Sequence, residues 1–233
     1  IGIYLENSVY TMASILAVWK SGNAFVGITD SLPVDRISKL CSLSEVPLIL
    51  TEETKEMLIR EIDLPLILVD DPSYTQKKVK KKKKIITSGQ SLAYVVFTSG
   101  STGIPKGVQV THLQLSQYLY AISGKINFSK NKNYLFLSPL NVDLGYTTLF
   151  SSLYNGGTLH LMDVESSKIP GTFCEFIRGR KIHYIKMTPS HFQALTYEIS
   201  DLENYCPKEL IIFGGESLPH KLALKVHKHC RVI

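Results

Sequence analysis

The sequence lacks an apolar run long enough to cross a membrane. Its longest blocks, such as residues 95–97, are of strand length, against roughly 18 residues for a span. Charged residues are only 20% of the chain and hydrophobic ones 44%, which excludes a disordered chain, and the glycines show no fibre-forming period. The four cysteines, Cys41, Cys174, Cys206 and Cys230, form no CxxC pair and share no ligand spacing with the seven histidines. No metal site is therefore expected. Four free, mostly buried thiols are expected, with one disulfide pair left open, and nothing favours an oxidising compartment over a cytoplasmic one. The chain begins at Ile1, without an initiating Met or signal segment, and ends within an apolar pattern at Ile233. It reads as a piece of something longer.

A formal net charge of +6 invites a nucleic-acid or membrane reading. Seven lysines fall within residues 77–84, and without them the balance becomes −1. One short segment is basic, not the chain. A block of like charge repels itself and stays solvated, whereas a binding face needs basic residues spread among aromatic or hydrogen-bonding neighbours. Only Tyr74 lies close by in sequence. The run is read as a loop, with no nucleic-acid or membrane partner. The competing reading, nucleic-acid binding through residues 77–84, predicts a salt-sensitive affinity that vanishes with the run.

Strand-sized apolar blocks alternate with stretches of helical spacing. Helices are expected over 8–20, 33–43, 54–61, 113–123 and 147–154. Strands are expected over 24–28, 48–51, 66–69, 92–97, 134–137, 158–162, 183–187 and 210–213, with further helices between the later ones. The pattern predicts an α/β fold with largely parallel sheets, in two Rossmann-like subdomains. Their boundary is expected at 112/113, the first ending in the segment described next.

Directly after the apolar block 92–97 comes TSGSTGIPKG, residues 98–107. Gly100, Gly103 and Gly107 allow tight turns and close backbone approach. Thr98, Ser99, Ser101 and Thr102 add hydroxyls, and Lys106 adds a cation, a combination suited to polyphosphate. The alternative is a flexible Gly/Ser linker, which would not need a lysine at one place against a buried strand. The loop is not a Walker A motif, because Lys106 precedes Gly107 and Val108 instead of a glycine-lysine-hydroxyl run.

The longer stretch LAYVVFTSGSTGIPKGVQVTH, residues 92–112, closely resembles the signature of adenylate-forming enzymes. That superfamily includes acyl-CoA synthetases, luciferases and nonribosomal peptide synthetase adenylation domains. AVWKSGNAFVGI (17–28), PVDRI (33–37) and FGGESL (213–218) resemble its other motifs in the same order. The likeness is weakest over residues 52–90. It implies the N-terminal part of the adenylate-forming fold and a reaction in which a carboxylate attacks the α-phosphate of ATP with Mg2+. It implies that Thr98, Ser99, Gly100, Ser101, Thr102, Gly103 and Lys106 hold the triphosphate, with Thr98 and Lys106 catalytic. Gly214, Gly215 and Glu216 would lie near adenine and ribose; on residues alone, Gly214 and Gly215 equally suit a plain strand-to-helix turn.

SPLNVDLGYTTLF, residues 138–150, resembles the Phe-Asp-x-Ser segment of amino-acid-activating domains, with Val142 and Gly145 departing from it. Asp143 then pairs with a substrate ammonium; its alternative role is a helix N-cap. Leu144, Thr147, Lys186, Ile212 and Gly214 take the further pocket positions. Lys186 interrupts an apolar strand, so it either faces solvent in alternation or offers an ammonium to an acceptor on the substrate side chain. The set resembles that of domains activating aspartate or asparagine. The acceptor would be the phosphopantetheine thiol of a carrier-protein domain, or CoA, with carrier and condensation domains as partners. Two alternatives stand beside this reading: an acyl- or aryl-CoA ligase, and a catalytically incomplete nucleotide-binding fragment. The family's Tyr-Gly-Pro-Thr-Glu segment, ribose-binding aspartate and C-terminal catalytic lysine would all follow Ile233. His112, His160, His183 and His191 form no hydrolytic arrangement; His112 is read as structural.

Overall fold

A computed structural model describes residues 1–73, 85, 87–98 and 105–233. The lysine run 77–84 and residues 99–104 of the glycine-rich segment lie outside the described residues. Two compact units divide the chain: residues 1–118 with 140–142, and residues 119–139 with 143–233. Among the described residues, no helix is long and apolar enough to cross a membrane.

The first unit holds a six-stranded sheet. Its strands are β1 (Gly2–Tyr4), β2 (Phe25–Ile28), β3 (Ile49–Thr51), β4 (Leu66–Leu68), β5 (Leu92–Thr98) and β6 (Lys106–Thr111), in the order β4-β3-β1-β2-β5-β6. All neighbours run parallel except β5 and β6. Central β1 and β2 are buried at every position, as expected of parallel strands covered on both faces. Their side chains join Ile37 and Cys41 of helix α2 (Val34–Leu43) and Ile59 of α3 (Glu53–Ile59) in one core.

Helix α1 (Val9–Lys20) starts where Thr11 Oγ1 accepts the Ser8 backbone N–H at 3.4 Å, and the chain leaves it through Gly22 at φ +78°. Trp19 on this helix donates its indole N–H to the Ala93 carbonyl at 2.8 Å. At Gly27 a Cβ would lie 2.1 Å from the Leu140 carbonyl oxygen. Only a residue without a side chain lets residues 140–142 approach β2 so closely.

The helix α4 (His112–Ile126) spans the division between the units. In the second unit, β7 (Asn133–Phe136), β8 (Thr158–Leu161), β9 (Tyr184–Met187), β10 (Leu210–Phe213) and β11 (Arg231–Val232) form a wholly parallel sheet, ordered β11-β10-β9-β7-β8. The helices α5 (Tyr146–Tyr154), α6 (Pro170–Gly179), α7 (Pro189–Leu195) and α8 (His220–His227) lie between these strands in sequence, the crossover pattern that parallel pairing requires. Strand β9 divides its residues by alternation. Ile185 and Met187 enter the main core with Phe173, Phe192 and Leu222, while Tyr184 faces the opposite cluster with Leu210 and Ile212.

The expected strands and helices are present, with no end shifted by more than three residues. Three strands were not anticipated: β1, β11 and β6. Strand β6 pairs antiparallel at a sheet edge and is mostly exposed, so KGVQVT carries none of the apolar continuity that marks a buried strand.

Candidate functional site

In the first unit, the glycine-rich segment leaves from the end of β5 and rejoins at the start of β6. Thr98 and Lys106 are register partners across this antiparallel pair. Cross-strand partners share a face with Cβ atoms about 5 Å apart, so a hydroxyl-bearing and an ammonium-bearing side chain leave the same face where the segment begins and ends. Both are exposed. Beside them is a cavity of about 100 Å3 whose lining includes Thr98, Pro105, Phe97, Gly27 and Asn141. The predicted phosphate contacts Ser99, Gly100, Ser101, Thr102 and Gly103 lie outside the described residues.

His112 opens α4. Its backbone N–H donates to the Ser91 carbonyl at 3.0 Å, and its ring meets Trp19 edge-on at 5.3 Å. Burial lowers its pKa below the ordinary imidazole value. These are packing contacts, in keeping with a structural role.

In the second unit, the pocket positions converge at the C-terminal ends of β9 and β10. Lys186 and Ile212 are register partners on adjacent parallel strands. Lys186 is half-buried and turns inward: its Nζ donates to Thr147 Oγ1 at 2.8 Å, and Thr147 is buried on α5. Desolvation lowers the Lys186 pKa, and the Asp143 carboxylate opposes that shift as the nearby counter-charge. Gly214 closes over the lysine stem; a Cβ there would lie 3.2 Å from Lys186 Cε and 3.4 Å from Leu144 Cδ1. Lys186 thus meets Thr147 on one side and the Gly214 turn on the other, with Leu144 beside Gly214 and Asp143 in electrostatic range. Ile212 lies on the same face but packs with Leu210 and Tyr184.

Two features of this cluster differ from the simplest sequence picture. Asp143 is exposed, and the more enclosed charge is the half-buried Lys186. Asp143 also does not cap α5: it opens a 3-10 turn, Asp143–Gly145, and Gly145 takes the N-cap position without a side-chain bond.

Glu216 sits past the Gly214-Gly215 turn, where Gly215 has φ +81°, a conformation that favours glycine. Its carboxylate accepts from Ser190 Oγ at 2.7 Å and from Ser190 N at 3.2 Å. Sequence reasoning gave no sign of this contact, because 26 residues separate the partners. Nor did it find Lys55, whose buried ammonium pairs with Asp30 at 2.7 Å and Glu6 at 3.1 Å. Among the described residues, no group of three or more His, Cys, Asp or Glu side chains could hold a metal ion. All four cysteines are free thiols, three of them buried.

Two α/β units, one with a glycine- and hydroxyl-rich segment at a strand end and one with a charged cluster at the strand termini, define the N-terminal part of an adenylate-forming fold. The chain belongs to the AMP-binding enzyme family, whose model matches residues 1–233. It is 33% identical over 220 residues to surfactin synthase subunit 2 of Bacillus subtilis (strain 168), covering 94% of this chain and 6% of that protein. It is 30% identical over 232 residues to tyrocidine synthase 3 of Brevibacillus parabrevis, covering 98% of this chain and 3% of that protein. Among solved structures, the nonribosomal peptide synthetase FmoA3 in its alpha-methyl-L-serine-AMP bound form is similar in fold. Its TM-score is 0.86 at 20% identity, covering 100% of this chain and 26% of the other. The chain therefore spans only a small part of the relatives it matches.

Proposed function

We propose that the protein to which this chain belongs activates a carboxylic acid with ATP, forming an acyl-adenylate and pyrophosphate, within a nonribosomal peptide synthetase. The observation that carries this reading is the family match along the whole chain, with the TSGSTGIPKG segment at the end of an apolar strand. A carboxylate oxygen of the acid forms a bond to the α-phosphorus, and the bond from that phosphorus to the leaving pyrophosphate breaks. Such transfers depend on positioning and charge neutralisation more than on a protein nucleophile. Thr98, Ser99, Gly100, Ser101, Thr102, Gly103 and Lys106, in the subdomain of residues 1–112, bind the triphosphate; Mg2+ shares its charge. Gly214 and Gly215 lie in the segment beside the nucleoside, and Glu216 follows them with its carboxylate turned to Ser190.

Residues 113–233 form the acid-binding subdomain. Asp143 receives the ammonium of an amino acid, and Lys186, held by Thr147, donates to an acceptor on its side chain. Leu144, Ile212 and Gly214 bound the remaining space. An aspartate or asparagine side chain supplies an oxygen acceptor of suitable length. The acyl group then passes to the phosphopantetheine thiol of a carrier-protein domain, with a condensation domain downstream.

The test is substrate-dependent ATP–pyrophosphate exchange by the full-length protein. Exchange strongest with aspartate or asparagine supports the proposal. Exchange confined to fatty or aryl acids would overturn the roles of Asp143 and Lys186 and favour a CoA ligase.

A further inference from the structure

The Gly214-Gly215-Glu216 turn is tied at one end to the last residue of β9 and at the other to the segment that follows it. At one end the Gly214 N–H donates to the Met187 carbonyl at 3.2 Å, extending the ladder between β10 and β9. At the other, both oxygens of Glu216 accept hydrogen bonds from Ser190. Donor accounting fixes the direction of the chain behind them. Thr188 Oγ1 accepts the His191 N–H at 3.2 Å and lies 3.1 Å from Ser190 Oγ. Since Ser190 gives its own proton to Glu216, the Thr188 hydroxyl donates to Ser190. Three donors in series thus end on one carboxylate, an arrangement in which each bond polarises the next.

The position of this turn sets the space over the acid pocket. Gly214 packs against Lys186 Cε and Leu144 Cδ1, and the neighbouring Gly215 faces Thr188 Cγ2 and Leu144 Cδ1. Moving the turn away from β9 would loosen the contact over the lysine stem. We infer that Glu216 is a positioning residue: through Ser190 and Thr188 its carboxylate holds Gly214 against Lys186, and so governs the fit of the acid substrate rather than contact with the nucleotide. The inference rests on the adenylation reading for its kinetic consequence, but the clasp itself is a property of the folded chain.

The experiment compares Glu216→Ala, Glu216→Gln, Ser190→Ala and the double variant Glu216→Ala/Ser190→Ala in the full-length protein. Glu216 and Ser190 are exposed, so water compensates much of their bonding and its loss corresponds to roughly a fivefold change, the scale of an ordinary hydrogen bond. Glu216→Ala should raise KM for the amino acid roughly fivefold while KM for ATP stays within about twofold. Ser190→Ala should act in the same direction but less, because its backbone N–H still reaches Glu216. The double variant should be no worse than Glu216→Ala alone, the non-additivity of one shared interaction. Glu216→Gln retains one acceptor oxygen and should fall between wild type and Glu216→Ala. A rise in KM for ATP instead, or additive effects in the double variant, would overturn the inference. Hydrogen–deuterium exchange over residues 214–218 of substrate-free protein separates the two readings. Faster exchange in Glu216→Ala supports the clasp even if no acid is activated, and unchanged exchange sinks it even if adenylation is confirmed.

Discussion

Replacing Lys186 by Met separates a structural lysine from a substrate-binding one. Methionine keeps the stem that Gly214 packs against, since that contact is to Cε, and deletes only the ammonium. In the folded chain that ammonium is half-buried and partly desolvated, bonded to the Thr147 hydroxyl with the Asp143 carboxylate as nearby counter-charge. Lost hydration of such a charge opposes folding, and apolar replacement of such groups is often neutral or stabilising. The sign of the linkage agrees. The folded-state pKa lies below the ordinary lysine value of 10.5, so the unfolded chain binds more protons between the two values. The penalty is therefore full below the folded pKa and fades as pH rises towards 10.5. The Lys186→Met variant should be as stable as wild type at neutral pH, within about 1 kcal/mol, or more stable. Its stability should also rise less between neutral and alkaline pH.

The same substitution should cost function. A hydrogen bond from a charged donor is worth about 1.5–3 kcal/mol, or roughly 10- to 150-fold in kcat/KM for a substrate with a side-chain acceptor. Urea unfolding gives the first quantity, and pyrophosphate exchange with aspartate, asparagine and leucine gives the second. Large destabilisation with proportionate loss for every substrate would show that Lys186 serves the fold, and unchanged exchange with aspartate and asparagine would refute its pocket role.

Other sites give equally direct expectations. Gly27→Ala places a Cβ 2.1 Å from a backbone oxygen and 2.5 Å from its carbon, atoms that cannot rotate away, so urea unfolding should report a loss of about 2–3 kcal/mol; a silent substitution would mean that residues 140–142 yield readily. Lys106→Ala should raise KM for ATP, and exchange unchanged at limiting ATP would count against the phosphate loop. At Lys55, burial pulls the ammonium pKa down, but the hydrogen bonds it donates to Asp30 and Glu6 overcome that and leave it raised, while the same bond from Lys55 holds Asp30 below the ordinary aspartate value of 3.8. Asp30 therefore contributes stability above that value, lost as pH falls through its folded pKa. Lys55→Met should flatten the decline of the urea midpoint below about pH 4, and profiles parallel to wild type would contradict the pairing.

Local patterns made most of the fold legible. The blocks that became β2, β5, β7 and β10 are short apolar runs between turn residues, and α1, α2 and α5 carry apolar residues at helical spacing. Strand β6 was not legible, because an exposed edge strand needs neither an apolar face nor a continuous run. The convergence of Lys186, Thr147 and Gly214 was suggested only by resemblance to a family; periodicity alone left Lys186 equally suited to solvent. Alternation does place Lys186 on the face opposite Ile185 and Met187, but that face is occupied by Thr147 and by Gly214 of the neighbouring turn. The Glu216–Ser190 clasp and the Lys55 pairs join residues 25 to 49 positions apart, and no local signal records such contacts.

The central claim is that a carboxylate oxygen of an amino acid attacks the α-phosphate of ATP. Supplying the full-length protein with aspartate or asparagine labelled with heavy oxygen in its α-carboxylate, and analysing the AMP released after acyl transfer or hydrolysis, tests it directly. The account predicts one labelled oxygen in AMP and none in pyrophosphate. Labelled inorganic phosphate, or no acid-dependent formation of AMP, would contradict it.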